Sequence, residues 1–153
     1  MKLSTKGRYG LRAMIDLVLH SENEPVSIAS IAARQRISES YLEQLIAKLR
    51  KAGLVISVRG ACGGYIPGKA PEEISVGDVL RALEGSLNLV ECPGLSDVGC
   101  DGADVCVTKY VWKKVNDSID HTVNEIKISE LVKENQRVIL EKQNRELCCD
   151  KKE

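Results

Sequence analysis

Three cysteines lie close together in the segment ECPGLSDVGCDGADVCVTKY, residues 91–110. Seven residues separate Cys92 from Cys100, and five separate Cys100 from Cys106, in a stretch rich in glycine and aspartate. That composition is typical of a loop rather than of a core segment. Thiolates are the ligands that iron–sulfur clusters require, whereas structural zinc usually takes two closely spaced cysteine pairs. From residue types and spacing alone, a cluster, a zinc site and a thiol–disulfide switch all stay open.

The composition limits the class of protein that carries these cysteines. A chain of 153 residues is long enough for one compact domain and an accessory element. With one Trp, four Tyr and no Phe, its core must be aliphatic. The sequence has no run of eighteen apolar residues and no signal-peptide pattern, so we expect a cytoplasmic protein without a membrane partner. In that compartment a metal or redox role for the cysteines is favoured over structural disulfides.

The net charge of zero conceals two oppositely charged halves. Residues 1–70 contain 11 Lys and Arg against 5 Asp and Glu, and residues 71–153 contain 11 against 17. A basic half is expected where a chain meets a polyanion such as double-stranded DNA. The alternative is a chance distribution of surface charge.

Apolar residues at steps of three and four predict three helices within the first 53 residues. Each is preceded by a residue that can cap it: Ser4 or Thr5, Ser27, and Ser38. The first helix is expected to bury Leu11, Met14, Ile15 and Val18. The third helix, in SESYLEQLIAKLRKAG, is the clearest; Gly53 ends it, and its buried stripe is Leu42, Leu45, Ile46 and Leu49.

The second and third helices have the pattern of a helix-turn-helix motif, whose second helix is the recognition helix. Its outward side chains suit base edges and phosphates, although an ordinary solvated helix face is the alternative. The segment LVISVRGACGGYIPG then predicts a β-hairpin with its tip at residues 59–64, placed as the wing of a winged-helix domain. Glycine lets the wing approach a duplex closely, and Arg59 can enter the minor groove. The predicted DNA-binding residues are Ser38, Ser40, Tyr41, Glu43, Gln44, Lys48, Arg59 and Gly60.

A fourth helix in ISVGDVLRALEG is predicted to begin after Ser75 and to end at Gly85. A long helix follows from about Ala103, with an apolar stripe that requires burial against a second copy of the chain: Val107, Val111, Trp112, Val115, Ile119, Val123 and Ile126. The charged segment from about Lys133 is expected to be a frayed helix or disordered.

These elements predict a mainly α fold with a small β-hairpin wing. A winged helix-turn-helix domain covers residues 1–85, and a cysteine-rich loop covers residues 86–105. A dimerisation helix over residues 106–132 and a charged tail over residues 133–153 complete the chain.

Four consecutive blocks carry a family resemblance: LSTKGRYGLRAMIDL, SYLEQLIAKLRKAGLV, RGACGGY and ISVGDVLRALEG. They closely resemble the IscR, NsrR and CymR group of bacterial winged-helix regulators over about residues 1–90, and more loosely through the dimerisation helix. The resemblance implies a homodimeric transcriptional regulator, acting as a repressor at a near-palindromic operator. Members similar to CymR lack the cysteine loop and sense through a protein partner, whereas IscR- and NsrR-like members hold an iron–sulfur cluster there.

The resemblance implies that Cys92, Cys100 and Cys106 hold an iron–sulfur cluster, with 2Fe-2S favoured over 4Fe-4S. The regulator would then sense cluster supply, iron, oxygen or nitric oxide. IscR-type loops follow the pattern Cys-x5-Cys-x5-Cys-x2-His, whereas this chain has Cys-x7-Cys-x5-Cys-x2-Lys. Lys109 therefore stands where the histidine would be, and we expect it not to ligate. Arg8 occupies the position at which some NsrR-like proteins supply an acidic ligand.

Three other functions are alternatives to this one. In a CymR-like regulator controlled by a protein partner, the cysteines would bind zinc or act as a thiol switch. A small electron carrier has no use for a wing and a basic half. An enzyme is not expected, because no nucleophile–base pair, paired carboxylates or phosphate loop is present. We expect no role for Cys62, Cys148 or Cys149.

Overall fold

The structure is a computed structural model that describes residues 4–95 and 99–149. The chain forms six α-helices and one two-stranded antiparallel sheet within these ranges. None of the described helices is long and apolar enough to cross a membrane. The elements are α1 Thr5–His20, α2 Ile28–Gln35, α3 Glu39–Lys51, β1 Val55–Val58, β2 Gly64–Pro67, α4 Val76–Glu84, α5 Thr108–Glu125 and α6 Ile128–Cys149.

Helix α1 lies at the centre of the domain and packs against α4 at very short range. A Cβ atom on Gly10 would overlap the Leu83 side chain, and one on Gly7 would lie 2.8 Å from Glu84 Oε1. The buried face is therefore rotated from the predicted one and consists of Gly7, Gly10, Ala13, Met14, Asp16 and Leu17. Of the four apolar residues predicted to be buried, only Met14 is fully so. The glycines moved the buried face, because they let α4 pack closely against the side of α1 that carries Gly7 and Gly10.

The predicted helix-turn-helix geometry is confirmed at each of its caps. Ser27 Oγ accepts from Ser30 N, and Ser38 Oγ accepts from Tyr41 N. Between the two helices Arg36 adopts the left-handed conformation with φ 55°, which turns the chain. The recognition helix α3 then places its predicted stripe in the core, fully buried: Leu42, Leu45, Ile46 and Leu49.

A buried ion pair holds α2 against α1. Asp16 is only 4% exposed and accepts from Arg34 Nη2 at 2.6 Å and from Arg34 Nε at 3.0 Å. Gln35 Nε2 donates to the second carboxylate oxygen of Asp16 at 2.7 Å. A buried carboxylate needs this full set of donors, so removal of Arg34 would leave the charge of Asp16 unpaired in the core.

The hairpin predicted as the wing is present. Strands β1 and β2 pair from Val55 opposite Pro67 to Val58 opposite Gly64. Gly60 has φ 125°, a conformation that L-residues rarely adopt, and its carbonyl accepts from Gly63 N at 3.0 Å to close the tip. The root of the wing is fixed by backbone hydrogen bonds in both directions between Val26 and Tyr65.

Helix α4 is capped by Ser75 and ended by Gly85, as predicted, and its last residue, Glu84, caps α1. Glu84 Oε1 accepts from Ser4 N at 3.1 Å, Ser4 Oγ at 2.6 Å and Gly7 N at 2.8 Å. Two backbone N–H groups at the start of α1 thereby gain an anionic partner. Burial raises the pKa of Glu84, but the hydrogen bonds from Ser4 and Gly7 outweigh it and leave the pKa below its ordinary value.

The predicted single long helix is two helices, and it begins later than expected. Residues 100–105 form turns, with Ala103 N donating to Cys100 O, and α5 starts only at Thr108. Ile126 is extended, because the chain there pairs with the segment before α4: Val76 N donates to Ile126 O and Ile128 N donates to Ile74 O, both at 2.9 Å. Of the two alternatives expected for the segment after Lys133, the structure has a helix and not disorder as far as Cys149, because α6 continues through it. Pairs of Arg137 with Glu134 and Glu141 at helical spacing support this stretch.

Replacing Glu84 by glutamine is expected to lower the free energy of unfolding by about 1 kcal/mol at neutral pH, because a neutral amide is a weaker cap. A carboxylate whose folded pKa is lowered contributes stability above its unfolded pKa, and this is lost as the pH falls through the folded pKa. The difference in the free energy of unfolding between the parent protein and Glu84→Gln should therefore decrease in acid. Urea unfolding at several pH values measures it, with Glu22→Gln at an exposed position as control. A difference that is independent of pH would contradict this role of the charge.

Candidate nucleic-acid interface and cysteine loop

The recognition helix presents a polar, solvent-exposed face. Ser40, Glu43 and Gln44 are all exposed, on the side of α3 opposite its buried stripe. Polar side chains of this length can reach base edges when a helix lies in the major groove. The N-terminal turn of α3 adds the positive end of the helix dipole, which favours phosphate.

The other three residues predicted on α3 are engaged within the chain. Ser38 Oγ is occupied as the helix cap. Tyr41 is partly buried, with its ring edge-to-face against Tyr9 at a centroid distance of 6.2 Å. Lys48 is exposed, but it does not point outward as expected, because its Nζ donates to Leu83 O of α4 at 3.0 Å. Their contact with DNA stays a prediction.

The wing tip is fully accessible. Arg59, Gly60 and Cys62 are exposed at the end of the hairpin, beyond the last paired residue Val58. A guanidinium at the tip of a narrow hairpin has the size and charge to enter a minor groove.

The described parts of the cysteine loop converge on Ala103. A Cβ atom on Gly94 would lie 3.5 Å from Ala103 Cβ and 3.7 Å from Cys92 Sγ, so the first cysteine lies near this residue. Ala103 N donates to Cys100 O at 2.9 Å, and Cys106 follows three residues later. The segment that follows Cys92 therefore lies beside Ala103, which stands between Cys100 and Cys106 in the sequence.

Lys109, in the position of the expected histidine, is used as a structural donor. Its Nζ donates to Ala103 O, which ties the loop to the first turn of α5. An ammonium that donates has no lone pair to offer a metal, so this contact agrees with the expectation that Lys109 is not a ligand. Asn116, further along α5, holds the other end of the loop: Leu89 N donates to its Oδ1 at 2.9 Å and its Nδ2 donates to Val90 O at 3.2 Å.

The cysteines are accessible and chemically suited to soft metals. Cys100 is exposed, while Cys92 and Cys106 are partly exposed, and all three are free thiols. A hydrogen bond from the Thr108 hydroxyl, followed by one from the Lys109 backbone, lowers the pKa of Cys106 and favours its thiolate. Within residues 4–95 and 99–149, no three Cys, His, Asp or Glu side chains are already arranged around a common metal position. The donor set fits an iron–sulfur cluster by chemistry, and its ligands would have to close together on binding.

Sequence reasoning missed Asn116 of α5, which holds the loop, and Arg81 of α4 with its two partners on α5. Arg81 Nη2 donates to Asp120 Oδ1 at 2.6 Å and to Asn124 Oδ1 at 2.8 Å. With Asn116, these two α5 residues form a polar row at spacings of four, beside the apolar stripe that dominated the prediction. That second periodicity was the available signal.

Three helices with an exposed polar recognition helix, followed by a glycine-tipped hairpin, define a winged helix-turn-helix DNA-binding protein. Residues 3–134 match the Rrf2 family, described as an iron-dependent transcriptional regulator. The chain belongs to this family and is a helix-turn-helix transcriptional regulator of IscR type, not an enzyme. The resemblance and the fold class predicted from the sequence are thereby confirmed.

Known relatives support this assignment along most of their length. The chain is 48% identical to the transcriptional regulator IscR of Pectobacterium carotovorum (strain PC1), over 86% of this chain and 79% of that protein. Among solved structures, IscR of T. potens is 48% identical with a TM-score of 0.72, covering 90% of each chain. CymR, the global cysteine regulator of B. subtilis, is 41% identical with a TM-score of 0.71, covering 87% of this chain and 97% of CymR.

Replacing Gln44 or Arg59 by alanine should weaken operator binding by about 1–3 kcal/mol each, because each loses a groove contact. Gln44→Ala should also relax specificity at one base pair. Gel-shift titration against one operator and its single-base variants measures both effects. Gln136→Ala, on the exposed part of α6, is the matched control. Unchanged affinity and specificity in both variants would refute the assignment of this surface.

Proposed function

We propose that the protein is a homodimeric repressor whose binding to a near-palindromic operator is controlled by an iron–sulfur cluster held by Cys92, Cys100 and Cys106. The observation that carries the cluster proposal is the close approach of Gly94, two residues after Cys92, to Ala103, which lies between Cys100 and Cys106. Relatives named IscR, at 46–48% identity, support the same branch of the family.

The DNA-binding surface of this proposal is the exposed face of α3 together with the wing tip. Ser40, Glu43 and Gln44 would face bases, while Arg59 and Gly60 would meet the adjacent minor groove. Two such surfaces in a dimer would occupy successive major grooves, spaced by about 34–36 Å, the length of one turn of DNA.

The proposed dimer interface is α5. Within the described chain none of its residues is buried, although the helix carries a continuous apolar stripe. At its start, Val107 is 74% exposed, Tyr110 64% and Val111 54%, which is unusual for side chains of this kind. A second copy packed along this face would remove that surface from water.

In the cluster site, the three thiolates would supply the protein ligands and the remaining iron position would take an oxygen ligand, an exogenous thiol or solvent. A cluster of the 2Fe-2S type is favoured over 4Fe-4S. Such a cofactor supplies redox chemistry and sensitivity to oxygen, nitric oxide and iron supply. Lys109 would place a positive charge beside an anionic cluster while it holds Ala103.

A second candidate is a CymR-like regulator that responds to a protein partner. It is favoured by the 41% identity to CymR and by the lack of a preassembled group of three metal ligands among the described residues. In that case the cysteines would bind zinc or serve as a thiol switch.

Anaerobic reconstitution with iron and sulfide should give a brown protein, with visible absorption that each single change Cys92→Ala, Cys100→Ala or Cys106→Ala abolishes or greatly weakens. Lys109→Ala should keep the absorption, because its ammonium is a donor and not a ligand. Cys62→Ala, at the wing tip, is the matched control for loss of an exposed thiol. Colourless protein with unchanged operator binding would favour the CymR-like function. Loss of the cluster in Lys109→Ala would show that this lysine is required at the site.

Glutamate in place of Val115 at the centre of the α5 stripe should separate the subunits, because burial of an unpaired carboxylate in an interface is strongly unfavourable. Operator affinity should fall with it, since two half-sites are no longer held together. Sedimentation velocity at micromolar concentration measures the association state. Ile56→Glu, which changes an exposed apolar residue of β1, is the control and should stay dimeric. A dimeric Val115→Glu protein would place the interface elsewhere.

A further inference from the structure

We propose that Arg81 is a positioning residue that couples the cysteine loop to the recognition helix. It would act through a row of polar side chains on α5 formed by Asn116, Asp120 and Asn124. This inference rests on the proposed function, in which the state of the loop controls DNA binding.

The row begins at the cysteine loop. The Asn116 amide makes two hydrogen bonds to consecutive residues of the loop backbone, to Leu89 N and to Val90 O. Val90 is only two residues from Cys92. A rearrangement that brings the cysteines together must therefore either carry Asn116 with it or break both bonds.

The row continues along one face of α5 to Arg81 on α4. Spacings of four residues place Asn116, Asp120 and Asn124 above one another on the helix. The Arg81 guanidinium donates to both Asp120 and Asn124, and Asn124 Nδ2 also approaches Asp120 Oδ2 at 3.4 Å. One side chain of α4 is thus hydrogen-bonded to two residues of α5.

The path ends on the recognition helix. Two residues after Arg81, the carbonyl of Leu83 accepts from Lys48 Nζ of α3 at 3.0 Å. The Leu83 side chain is itself buried against α1, where Gly10 leaves room for it. A shift of α4 would therefore be transmitted to α3 by a hydrogen bond and by close packing.

Helix α5 connects the cysteine loop at its N-terminal end to the DNA-binding domain at its C-terminal end. Its C-terminal end is fixed by the backbone hydrogen bonds of Ile126 and Ile128 to residues 74–76. The 18 residues of α5 span about 27 Å at the rise of an α-helix, and the cysteine loop lies at the far end. Arg81 binds α5 at Asp120 and Asn124, between the fixed C-terminal end of the helix and the loop.

The chemistry of the Arg81 contact favours coupling over stabilisation. The Arg81 side chain is 36% exposed and that of Asp120 is 57% exposed. Ion pairs this accessible contribute little to folding stability. Bonds from one guanidinium to two acceptors nevertheless fix the relative position of two helices, which is what a coupling contact requires.

The test uses full-length protein without a cluster, because coupling between sites is reciprocal and operator DNA must then affect the loop. Cys62, Cys148 and Cys149 are replaced by serine, so that iodoacetamide reports only on the three loop cysteines. Saturating operator should change their alkylation rate by about fivefold or more, the lower end of typical coupling. In Arg81→Met, operator should change the alkylation rate by no more than about twofold, which is the scatter expected of independent sites. Operator affinity and thermal unfolding of this cluster-free variant should stay near those of the parent.

Further variants separate coupling from a structural role. Asp117→Asn breaks an exposed pair with Lys113 that lies entirely within α5, and it should retain the full effect of operator. Asp120→Ala should also abolish the effect of operator on the alkylation rate. The double variant with Arg81→Met should lose no more of this effect than either single variant. Additive losses, a full effect in Arg81→Met, or no effect of operator in the parent would each overturn the proposal. So would a loss of operator affinity in cluster-free Arg81→Met, since Arg81 would then be needed for the fold or for DNA binding itself.

Reconstitution of the cluster provides a second, independent test. After reconstitution, Arg81→Met should show the same visible absorption as the parent, while the ratio of operator affinities with and without cluster moves towards one. A parent protein that forms no cluster would refute the proposed cofactor. The alkylation experiment would still decide whether Arg81 couples the loop to DNA.

Discussion

The packing of α1 against α4 is the contact on which the rest of the molecule depends. Gly7 and Gly10 let the two helices touch, and Glu84 then caps the start of α1 from the end of α4. Because α1 also carries α2 through Asp16 and Arg34, this contact determines where the helix-turn-helix sits. It also fixes α4 as the element that faces both the recognition helix and α5.

The regulator therefore consists of a rigid DNA-binding domain and a long helix that leaves it at Ile126. The N-terminal part of the apolar stripe of α5 is exposed and open to a second copy, whereas Val123 and Ile126 pack against the apolar cluster of α4. The polar row of α5 faces α4, and its N-terminal end carries the cysteine loop. One helix thus adjoins the proposed dimer interface, the proposed cofactor site and the DNA-binding domain. Hydrogen bonds of Arg81 and Lys48 link α5 to α4 and α4 to α3, and the proposed coupling uses these contacts.

Local chemistry made much of this fold predictable from the sequence. Ser27, Ser38 and Ser75 cap the helices they were expected to cap, and Gly85 ends α4, because capping depends on residues within one helical turn. The break between α5 and α6 was not predictable in this way, because apolar residues continue in helical spacing as far as Ile126, where the helix has already ended. It is caused by backbone pairing with residues 74–76, about fifty positions away in sequence. Lys48 was misplaced for a similar reason, since its partner Leu83 lies on another helix.

The bonds that Lys109 and Asn116 make to the cysteine loop have a consequence for protein turnover. Both ends of the loop are tied to α5 by hydrogen bonds made entirely within the chain. Proteases cut segments that open and extend, so backbone held in this way is a poor substrate near its attachment points. Cleavage of the loop should therefore be slow near Leu89, Val90 and Ala103, where these hydrogen bonds hold the backbone.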